Sequence, residues 1–344
     1  MSVSKNSVSL FFGKLISSVC SLIIIALLSR FLSQYEYAVY RQWTIASNFI
    51  LNFLSLGIPS SLNYFLAGSK DQRDSKSWQS NIFLLTMVIS IILLFLAKPI
   101  SIFSSWIFKN KVFHSHSVLF SGFIGISLLS SLYPNLLVIR EKRKALFIIS
   151  ALPNAVFLGM ILTLAILGVK SSIPYIYLLL VQPLLSIFVG LVSEKYLLSI
   201  TLTDLCKMKK VISFAVPLGI SNMVSSILVY TDKFVVGKML SPEEFAVFVN
   251  GAYEIPFIAL FSSSLFSILM PKLTNLYSSG EFGELKRLWI KSGKTLIPVM
   301  FTISSSLVCF APTFVEVLFS KKYMAATPLF MIYQMLLIIR IYVY

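Results

Sequence analysis

Residues 16–40 read ISSVCSLIIIALLSRFLSQYEYAVY, and residues 224–248 read VSSILVYTDKFVVGKMLSPEEFAVF. The two stretches align without a gap at an offset of 208 residues, which pairs two serines, a basic residue, a Leu-Ser and a glutamate. Leucine and isoleucine matches alone arise by chance in any apolar chain, whereas polar landmarks in the same order across a whole helix do not. The alignment therefore predicts a duplicated unit, and each copy contains an apolar run of membrane-spanning length.

The repeat continues along the chain, with offsets between 200 and 212 residues. The further pairs are Pro59 with Pro271, Asn63 with Asn275, Trp78 with Trp289, and residues 133–140 with 333–340. One copy contains six predicted helices, and an even number preserves the orientation, so the repeat is parallel about an axis along the membrane normal. We predict an N-terminal six-helix bundle in residues 1–205 and an incomplete C-terminal bundle of four helices in 206–344, which lacks the last pair.

The composition indicates a membrane protein over its whole length. Hydrophobic residues make up 57% of the 344 residues and charged residues 12%, with a mean hydropathy of +0.87; soluble domains carry about 25% charged residues. Apolar runs of spanning length occur at 8–32, 43–66, 81–103, 117–139, 145–169, 173–193, 211–236, 246–270, 295–319 and 328–344. They lack the alternation of barrel strands, so we predict an all-α membrane protein with about ten transmembrane helices.

The distribution of Lys and Arg predicts the orientation of these helices. With the N-terminus inside, the inner segments carry 18 Lys and Arg and the outer segments 10, and such an excess marks the cytoplasmic side. Both termini are therefore expected in the cytoplasm. Loops that lie against anionic membrane lipids explain the net charge of +16 without a nucleic-acid partner. The densest run, residues 140–144 (REKRK), is interpreted as a topological determinant, with attraction of an anionic lipid as the alternative.

The soluble segments contain no pattern that indicates an enzyme, a metal site or a cofactor. Cys20, Cys206 and Cys309 are isolated from one another, and His114 and His116 alone are too few for a zinc site. The loops contain no Gly-rich phosphate loop, no nucleophile motif and no catalytic constellation of paired carboxylates. We therefore predict no catalytic residue, no bound metal and no cofactor.

Several short patterns carry a resemblance to a known family. They are Leu28-Ser29-Arg30-Phe31-Leu32-Ser33 with Glu36-Tyr37 and Tyr40, Leu56-Gly57-Ile58-Pro59, Phe214-Ala215-Val216-Pro217-Leu218-Gly219 with Asp232-Lys233, and Leu240-Ser241-Pro242-Glu243-Glu244-Phe245. With these patterns the chain resembles, from end to end, the polysaccharide transporters or Wzx-type O-antigen flippases of the multidrug/oligosaccharidyl-lipid/polysaccharide exporter superfamily. Members of that family usually have twelve or more helices, so the resemblance is to a member truncated at its C-terminus.

The resemblance implies an activity, a location and partners. The activity is the flipping of undecaprenyl-diphosphate-linked oligosaccharide repeat units across the bacterial inner membrane, by alternating access between two bundles. The product would serve the synthesis of O-antigen, capsule or another surface polysaccharide, including lipopolysaccharide. The implied partners are the lipid-linked oligosaccharide itself, a polysaccharide polymerase and a chain-length regulator.

Two polar stripes on apolar helices are candidate walls of a substrate cavity. Lys14 shares a helical face with Ser17 and Ser18, and in the second copy Asn222 shares a face with Ser225. A cation inside the bilayer is costly but suits a diphosphate that must leave the headgroup region. The alternative is that Lys14 extends its ammonium to the inner membrane surface.

Four further residues are candidates near the outer side or for energy coupling. Arg30 borders the first outer loop, where it either meets emerging glycan or phosphate or anchors a helix end. Asp232 and Lys233 are candidates for a cation or proton site, with an ordinary outer helix terminus as the alternative. Glu254 is the preferred coupling residue, because the proline at 256 lacks a backbone donor and opens the helix there. Its alternative role is pairing with a cavity Lys or Arg.

Three rival functions make different demands on the sequence. A drug/cation antiporter of the same superfamily needs an acidic or aromatic cavity, which Lys14 argues against. A membrane polymerase needs a large outer loop with catalytic Arg or His, and no outer segment exceeds about twenty residues. A non-functional truncated transporter is compatible with the missing pair of helices.

Overall fold

The computed structural model describes residues 2–67, 69, 71–194, 203–255, 269, 272–273 and 276–336. All regular secondary structure in these residues is helical, which confirms the predicted all-α class. The helices are α1 (Ser2–Phe31), α2 (Gln34–Leu54), α3 (Ile58–Ala67), α4 (Gln72–Phe95), α5 (Ala97–Phe108), α6 (Val112–Ser115), α7 (Ser117–Ser130), α8 (Leu132–Ile139), α9 (Arg143–Ile166), α10 (Ser172–Leu178), α11 (Val181–Ser193), α12 (Leu205–Met239), α13 (Pro242–Gly251), α14 (Phe282–Cys309), α15 (Ala311–Phe319), a 3-10 helix (Lys321–Ala326) and α16 (Thr327–Met335).

Seven segments of the described chain are long and apolar enough to cross a membrane, and one bent pair of helices adds an eighth. They overlap eight of the ten predicted runs, of which 81–103 and 295–319 are each divided between two successive helices. The other two runs, 246–270 and 328–344, begin in α13 and α16 and continue into residues outside the described ranges. Large apolar side chains face outward from these segments: Phe95 and Ile166 expose 84% and 83% of their surface. Such exposure is expected where lipid rather than water surrounds the helix.

The chain divides into two compact units. The first consists of Met1–Leu27 and Phe31–Phe245, and the second of Leu28–Arg30 and Ala246–Tyr344. In the first unit, Leu62 of α3, Phe83 of α4 and Leu136 of α8 share a buried apolar core with Val211 of α12. In these contacts α12 therefore belongs with the helices that precede it. The predicted division into bundles 1–205 and 206–344 concerns the sequence repeat and stays a prediction.

The predicted span 43–66 is broken into α2 and α3. The break lies at Leu56 and Gly57, whose φ angles of 46° and 69° are left-handed. Glycine adopts this conformation without strain, and the leucine beside it costs about 1 kcal/mol. Pro59 then falls in the first turn of α3, where its missing N–H removes no helical hydrogen bond. The two helices are bent by 42° relative to each other.

Matching residues of the sequence repeat begin matching helices. Ser33 caps α2, and its side chain accepts a hydrogen bond of 3.1 Å from the Glu36 amide. Ser241, 208 residues later, accepts one of 3.3 Å from the Glu244 amide, and the Glu244 carboxylate accepts one of 2.9 Å from the Ser241 amide in return. Serine caps are favoured because they satisfy a first-turn N–H. The repeated Leu-Ser and Glu landmarks are thus start signals of helices.

Candidate functional site

A chain of polar side chains joins three helices of the first unit, within the spans Phe11–Phe31, Arg143–Ile166 and Ser172–Ser193. The Asn154 side-chain amide of α9 donates a hydrogen bond of 2.8 Å to Ser17 Oγ of α1. The Gln182 side-chain amide of α11 donates one of 2.8 Å to Asn154 Oδ1. All three side chains are half-buried. Amides within a membrane span cost free energy unless they find partners, so the network ties the three helices together.

Both amides adjoin a proline. Pro153 lies inside α9 directly before Asn154, and it removes one backbone hydrogen bond from the interior of that helix. Pro183 directly follows Gln182 in the first turn of α11, close to the point where α10 ends at Leu178. Interrupted backbone and polar side chains thus coincide in the first unit. In transporters this combination is typical of sites that bind substrate or ions.

Of the three residues, only Ser17 was predicted from the sequence. Ser17 belongs to a stripe of polar residues on one helix, whereas Asn154 and Gln182 stand alone in apolar runs. A single Asn or Gln next to a proline inside an apolar span is the sequence signal for such residues, because an amide side chain in a span is unfavourable without a hydrogen-bond partner.

Lys14 lies on the exposed side of α1, whereas Ser18 is buried at 9% exposure. The Lys14 ammonium forms no hydrogen bond or ion pair within the described ranges. Helices α1 and α9 approach closely beside it, since a Cβ on Gly13 would lie 2.7 Å from Ser150 Cβ. Lys14 is three residues inside the apolar segment that starts at Phe11. Cavity lining and extension to the inner surface both fit this position.

The second predicted stripe lies on an exposed face of α12. Asn222 and Ser225 are exposed, and the neighbouring Ser226 is buried. The Ser225 hydroxyl donates 3.1 Å to the Ser221 carbonyl of its own helix. Among the residues that the structure describes, no hydrogen bond joins either side chain to Lys14 or Ser17. The predicted facing of the two stripes stays a prediction.

Arg30 has the contacts of a helix-end anchor. In the second unit its guanidinium donates to the Val317 carbonyl of α15. The Lys322 ammonium donates 3.1 Å to the Arg30 carbonyl. Desolvation lowers the pKa of Lys322 at this place. These bonds agree with the alternative in which Arg30 anchors a helix end. Its contact with glycan or phosphate stays a prediction.

Asp232 and Lys233 form an ion pair within α12. Lys233 Nζ lies 3.2 Å from Asp232 Oδ1 and donates 2.8 Å to the Val229 carbonyl one turn earlier. The Lys233 side chain is only 11% exposed. The helix continues to Met239, so the pair lies about two turns before the helix terminus rather than at it.

Glu254 lies outside a helix. Helix α13 ends at Gly251, and residues 252–255 are not helical, so the predicted run 246–270 is interrupted just before position 256. The proline expected to open the helix at 256 lies outside the described ranges. Glu254 itself is half-buried. The preceding Tyr253 carbonyl accepts a hydrogen bond of 3.3 Å from the buried Gln334 side chain of α16.

A salt bridge ties α4 to α12 at the end that the positive-inside rule assigns to the cytoplasm. Lys207 Nζ lies 2.6 Å from Asp74 Oδ1, and the Trp78 indole donates 3.2 Å to Asp74 Oδ2. The same ammonium stands 5.0 Å from the centre of the Trp78 ring. At the opposite end, Lys238 lies 3.5 Å over the Trp106 ring and donates 2.9 Å to its carbonyl. Both ends of α12 are thus fixed to the first unit.

The matched family is described as "Polysaccharide biosynthesis protein", and its sequence pattern covers residues 3–274. No curated protein sequence matches the chain. Solved structures with a similar fold include transporters, and three structures illustrate the similarity.

A structure of MATE in complex with MaL6 gives a TM-score of 0.66 at 11% identity, over 99% of this chain and 80% of that one. A MOP superfamily transporter from Pyrococcus furiosus gives 0.63 at 12%, over 99% and 84%. An outward-facing multidrug resistance MATE family transporter of the MOP superfamily gives 0.65 at 11%, over 99% and 79%. At these identities the similarity establishes the fold, which is the one that the sequence resemblance implied.

Proposed function

Because the chain belongs to the polysaccharide biosynthesis protein family and has the fold of MOP superfamily transporters, we propose that it flips lipid-linked oligosaccharides across a membrane. The proposed cargo is an undecaprenyl-diphosphate-linked repeat unit, moved from the cytoplasmic to the outer leaflet of a bacterial inner membrane. The proposed product is a building block of O-antigen, capsule or another surface polysaccharide. A polymerase and a chain-length regulator are the proposed partners that use it.

The observation that carries this proposal is the charge character of the first unit. The spans Phe11–Phe31, Ser117–Ile139, Arg143–Ile166 and Ser172–Ser193 contain no Asp or Glu. The network of Ser17, Asn154 and Gln182 is neutral, and the nearest charge along α1 is the cation Lys14. A pocket for cationic drugs needs carboxylates, whereas a diphosphate needs cations and neutral donors. These four spans therefore favour an anionic cargo over a cationic drug.

One of the structural neighbours supports the same distinction. The Pyrococcus furiosus transporter is described as having a binding pocket of reverse polarity that suggests a different function. A difference in pocket charge within one fold is therefore a sound basis for separating substrate classes. By this criterion the drug/cation antiporter is the weaker candidate for this chain.

Coupling to an ion is proposed at Glu254 or at the pair of Asp232 and Lys233. Glu254 is a half-buried carboxylate at a break after α13, and such interruptions coordinate ions in transporters. Glu254 is preferred because it lies at this break, whereas Asp232 lies within the regular helix α12 beside Lys233.

The direct test is flipping by the purified chain in proteoliposomes. The probe is undecaprenyl diphosphate with a fluorescent sugar, and the measured quantity is the fraction that a membrane-impermeant reagent can modify over time. Wild type and Lys14→Arg are expected to equilibrate the leaflets, Lys14→Gln to slow this, and Lys14→Glu to slow it further. The matched control is Lys170→Gln, a loop cation outside the spans.

Two outcomes would overturn the proposal. One is transport of a cationic dye such as ethidium with no movement of the lipid, which would make the chain a drug/cation antiporter. The other is movement of neither probe by a folded protein, which is the result expected of a non-functional truncated transporter. In cells, normal surface polysaccharide after a clean deletion of the gene would equally contradict flipping.

A further inference from the structure

The two copies of the repeat share a serine that fastens one helix to another. Ser90 of α4 donates a hydrogen bond of 2.9 Å to the Gly125 carbonyl of α7. Ser304 of α14 donates one of 2.6 Å to the Gln334 carbonyl of α16. Each serine lies six residues before the single residue that separates its helix from the next one. These bonds make Gln334 the structural counterpart of Gly125, rather than of Pro134 as in the sequence pairing.

The helix that precedes Glu254 also differs between the two copies. Helices α2 and α13 begin at matching residues, but α2 continues for 21 residues and α13 stops after 10, at Gly251. At the offset of 208, Glu254 corresponds to Ala46 inside α2. The second copy therefore has a helix end, a carboxylate and the amide of Gln334 where the first copy has a continuous helix, an alanine and a glycine.

These differences meet at the Gln334 side chain, which is only 1% exposed. Its amide nitrogen donates a hydrogen bond of 3.3 Å to the Tyr253 carbonyl, which belongs to the peptide bond that leads into Glu254. Helices α13 and α16 approach closely here, since a Cβ built on Gly251 would lie 2.8 Å from Leu329 Cβ. Gln334 therefore holds the chain directly beside Glu254, just after α13 has ended.

The oxygen of the same amide has no such contact. Gln334 Oε1 is buried and accepts no hydrogen bond from the residues that the structure describes. A buried amide oxygen is unfavourable unless a donor or a cation meets it. Reversing the amide does not remove the difficulty, because the oxygen would then lie against the Tyr253 carbonyl. The environment of Gln334 thus calls for a positively charged ligand.

The chemistry around this break suits a small monovalent cation. The last carbonyls of a helix lack internal donors and carry the negative end of the helix dipole. The end of α13 places such carbonyls in the same stretch of chain as the half-buried Glu254 carboxylate. Interrupted helices supply oxygen ligands of this kind to Na⁺ in transporters. One carboxylate balances one positive charge, which favours a monovalent ion over a divalent one.

We propose that Gln334 Oε1 and the Glu254 carboxylate bind Na⁺ as a transported ion. The Gln334 amide nitrogen holds the break in place through the Tyr253 carbonyl, so this one side chain both positions the site and supplies a ligand. The inference rests on the proposed function, because it names the coupling ion and adds Gln334 to the coupling site. The counterparts Gly125 and Ala46 have no side-chain oxygen, so the site belongs to the second copy alone.

Binding is measured on the full chain, purified in detergent, as the rise in apparent melting temperature when Na⁺ replaces choline at constant ionic strength. A ligand that binds only the folded state raises this temperature with its concentration. Wild type is expected to show the rise. Gln334→Met removes both amide atoms and should increase the Na⁺ concentration at half of the rise by about tenfold or more. Glu254→Gln should abolish the rise.

The matched control is Gln42→Met in the first unit. Gln42 is also 1% exposed, but its Oε1 already accepts a hydrogen bond of 2.8 Å from the Asn110 side chain. This variant is expected to melt at a lower temperature in choline and to keep its response to Na⁺ within about twofold of wild type. Each variant is compared with itself in choline, so a general loss of stability does not imitate a loss of binding.

Three results would overturn the site. They are an unchanged response to Na⁺ in Gln334→Met, an unchanged response in Glu254→Gln, and a folded wild type that responds to pH but not to Na⁺. The half-buried Glu254 variant keeps the test decisive even where the substitution of the buried Gln334 prevents folding. An equal loss in Gln42→Met would also overturn the site, because the response would then not depend on this break.

The proteoliposome assay separates this inference from the proposed function. An inward Na⁺ gradient is expected to accelerate flipping by wild type and not by Gln334→Met. Na⁺ binding that depends on Gln334, in a chain that moves no lipid, would contradict the proposed function and leave the site. Flipping by a chain that shows no response to Na⁺ would overturn the site and leave the proposed function.

Discussion

Gly57 lies against Gly219 where the break between α2 and α3 crosses the middle of α12. A Cβ built on Gly57 would lie 2.7 Å from Leu218 Cβ and 3.3 Å from the Gly219 amide nitrogen. A Cβ built on Gly219 would lie 2.7 Å from Leu56 Cα. Two of the short patterns that carried the family resemblance, at 56–59 and 214–219, therefore contact each other in the fold. Each glycine permits the backbone approach that the other needs.

Gly219→Ala is expected to destabilise the protein, because the new methyl group meets backbone atoms of Leu56 that cannot move aside. Overpacking of this kind costs about 1–3 kcal/mol. The measurement is the apparent melting temperature in detergent. Gly159→Ala in α9 is the matched control, since no atom of a neighbouring segment lies within 4 Å of the added methyl group. Equal melting temperatures of the two variants would contradict the close contact.

Removal of the salt bridge between Asp74 and Lys207 is expected to loosen the inner end of α12. Its side chains are 32% and 20% exposed, so the coupling free energy should stay below about 1 kcal/mol. A double-mutant cycle of Asp74→Asn and Lys207→Met, followed by thermal unfolding, measures it. Additive effects of the two substitutions would show that the pair contributes nothing. Lys210→Met serves as the control for charge loss on the same helix.

Asn154→Ala is expected to weaken the packing of α1 and α11 against α9, because Ser17 and Gln182 both lose their hydrogen-bond partner. The cost is about 0.5–2 kcal/mol for a half-buried bond in a membrane span. Thr163→Ala, which removes an exposed hydroxyl from the same helix, is the control. Asn154→Asp is the sharper variant, since it places a carboxylate in the neutral network. If the cargo is anionic, this variant should slow flipping in proteoliposomes more than Asn154→Ala does, and the reverse order would argue against it.

The start of α13 is expected to respond to acid. Hydrogen bonds from the Ser241 backbone and side chain lower the pKa of Glu244 below its ordinary value of 4.5. A carboxyl with a lowered pKa contributes to stability above 4.5, and the contribution is lost as the pH falls through the lowered pKa. The protection of the Ser241 amide against hydrogen exchange, relative to an unstructured amide at the same pH, should therefore fall only under more acidic conditions. Glu244→Gln should remove this dependence, whereas Glu243→Gln should retain it.

The sequence predicted the helices well and the contacts between them poorly. Apolar runs and the repeat depend on residues close together in the chain, such as Ser33 with Glu36, and these formed the expected helix starts. The bond between Asn154 and Ser17 joins residues 137 positions apart, and no local pattern encodes such a distance. The break at Gly57 was missed because an apolar run reads as continuous even where two residues turn left-handed.

The glutamate of the repeated helix-start signal accepts a hydrogen bond from a different place in each copy. Glu244 closes its own helix start by bonding back to Ser241, while Glu36 accepts a hydrogen bond of 2.6 Å from the Ser172 amide at the start of α10. The Glu244 carboxylate thus stabilises the start of its own helix, whereas the Glu36 carboxylate links α2 to the start of α10. The first two helices taken alone would therefore leave the Glu36 carboxylate without this donor, because Ser172 follows it by 136 residues in the chain.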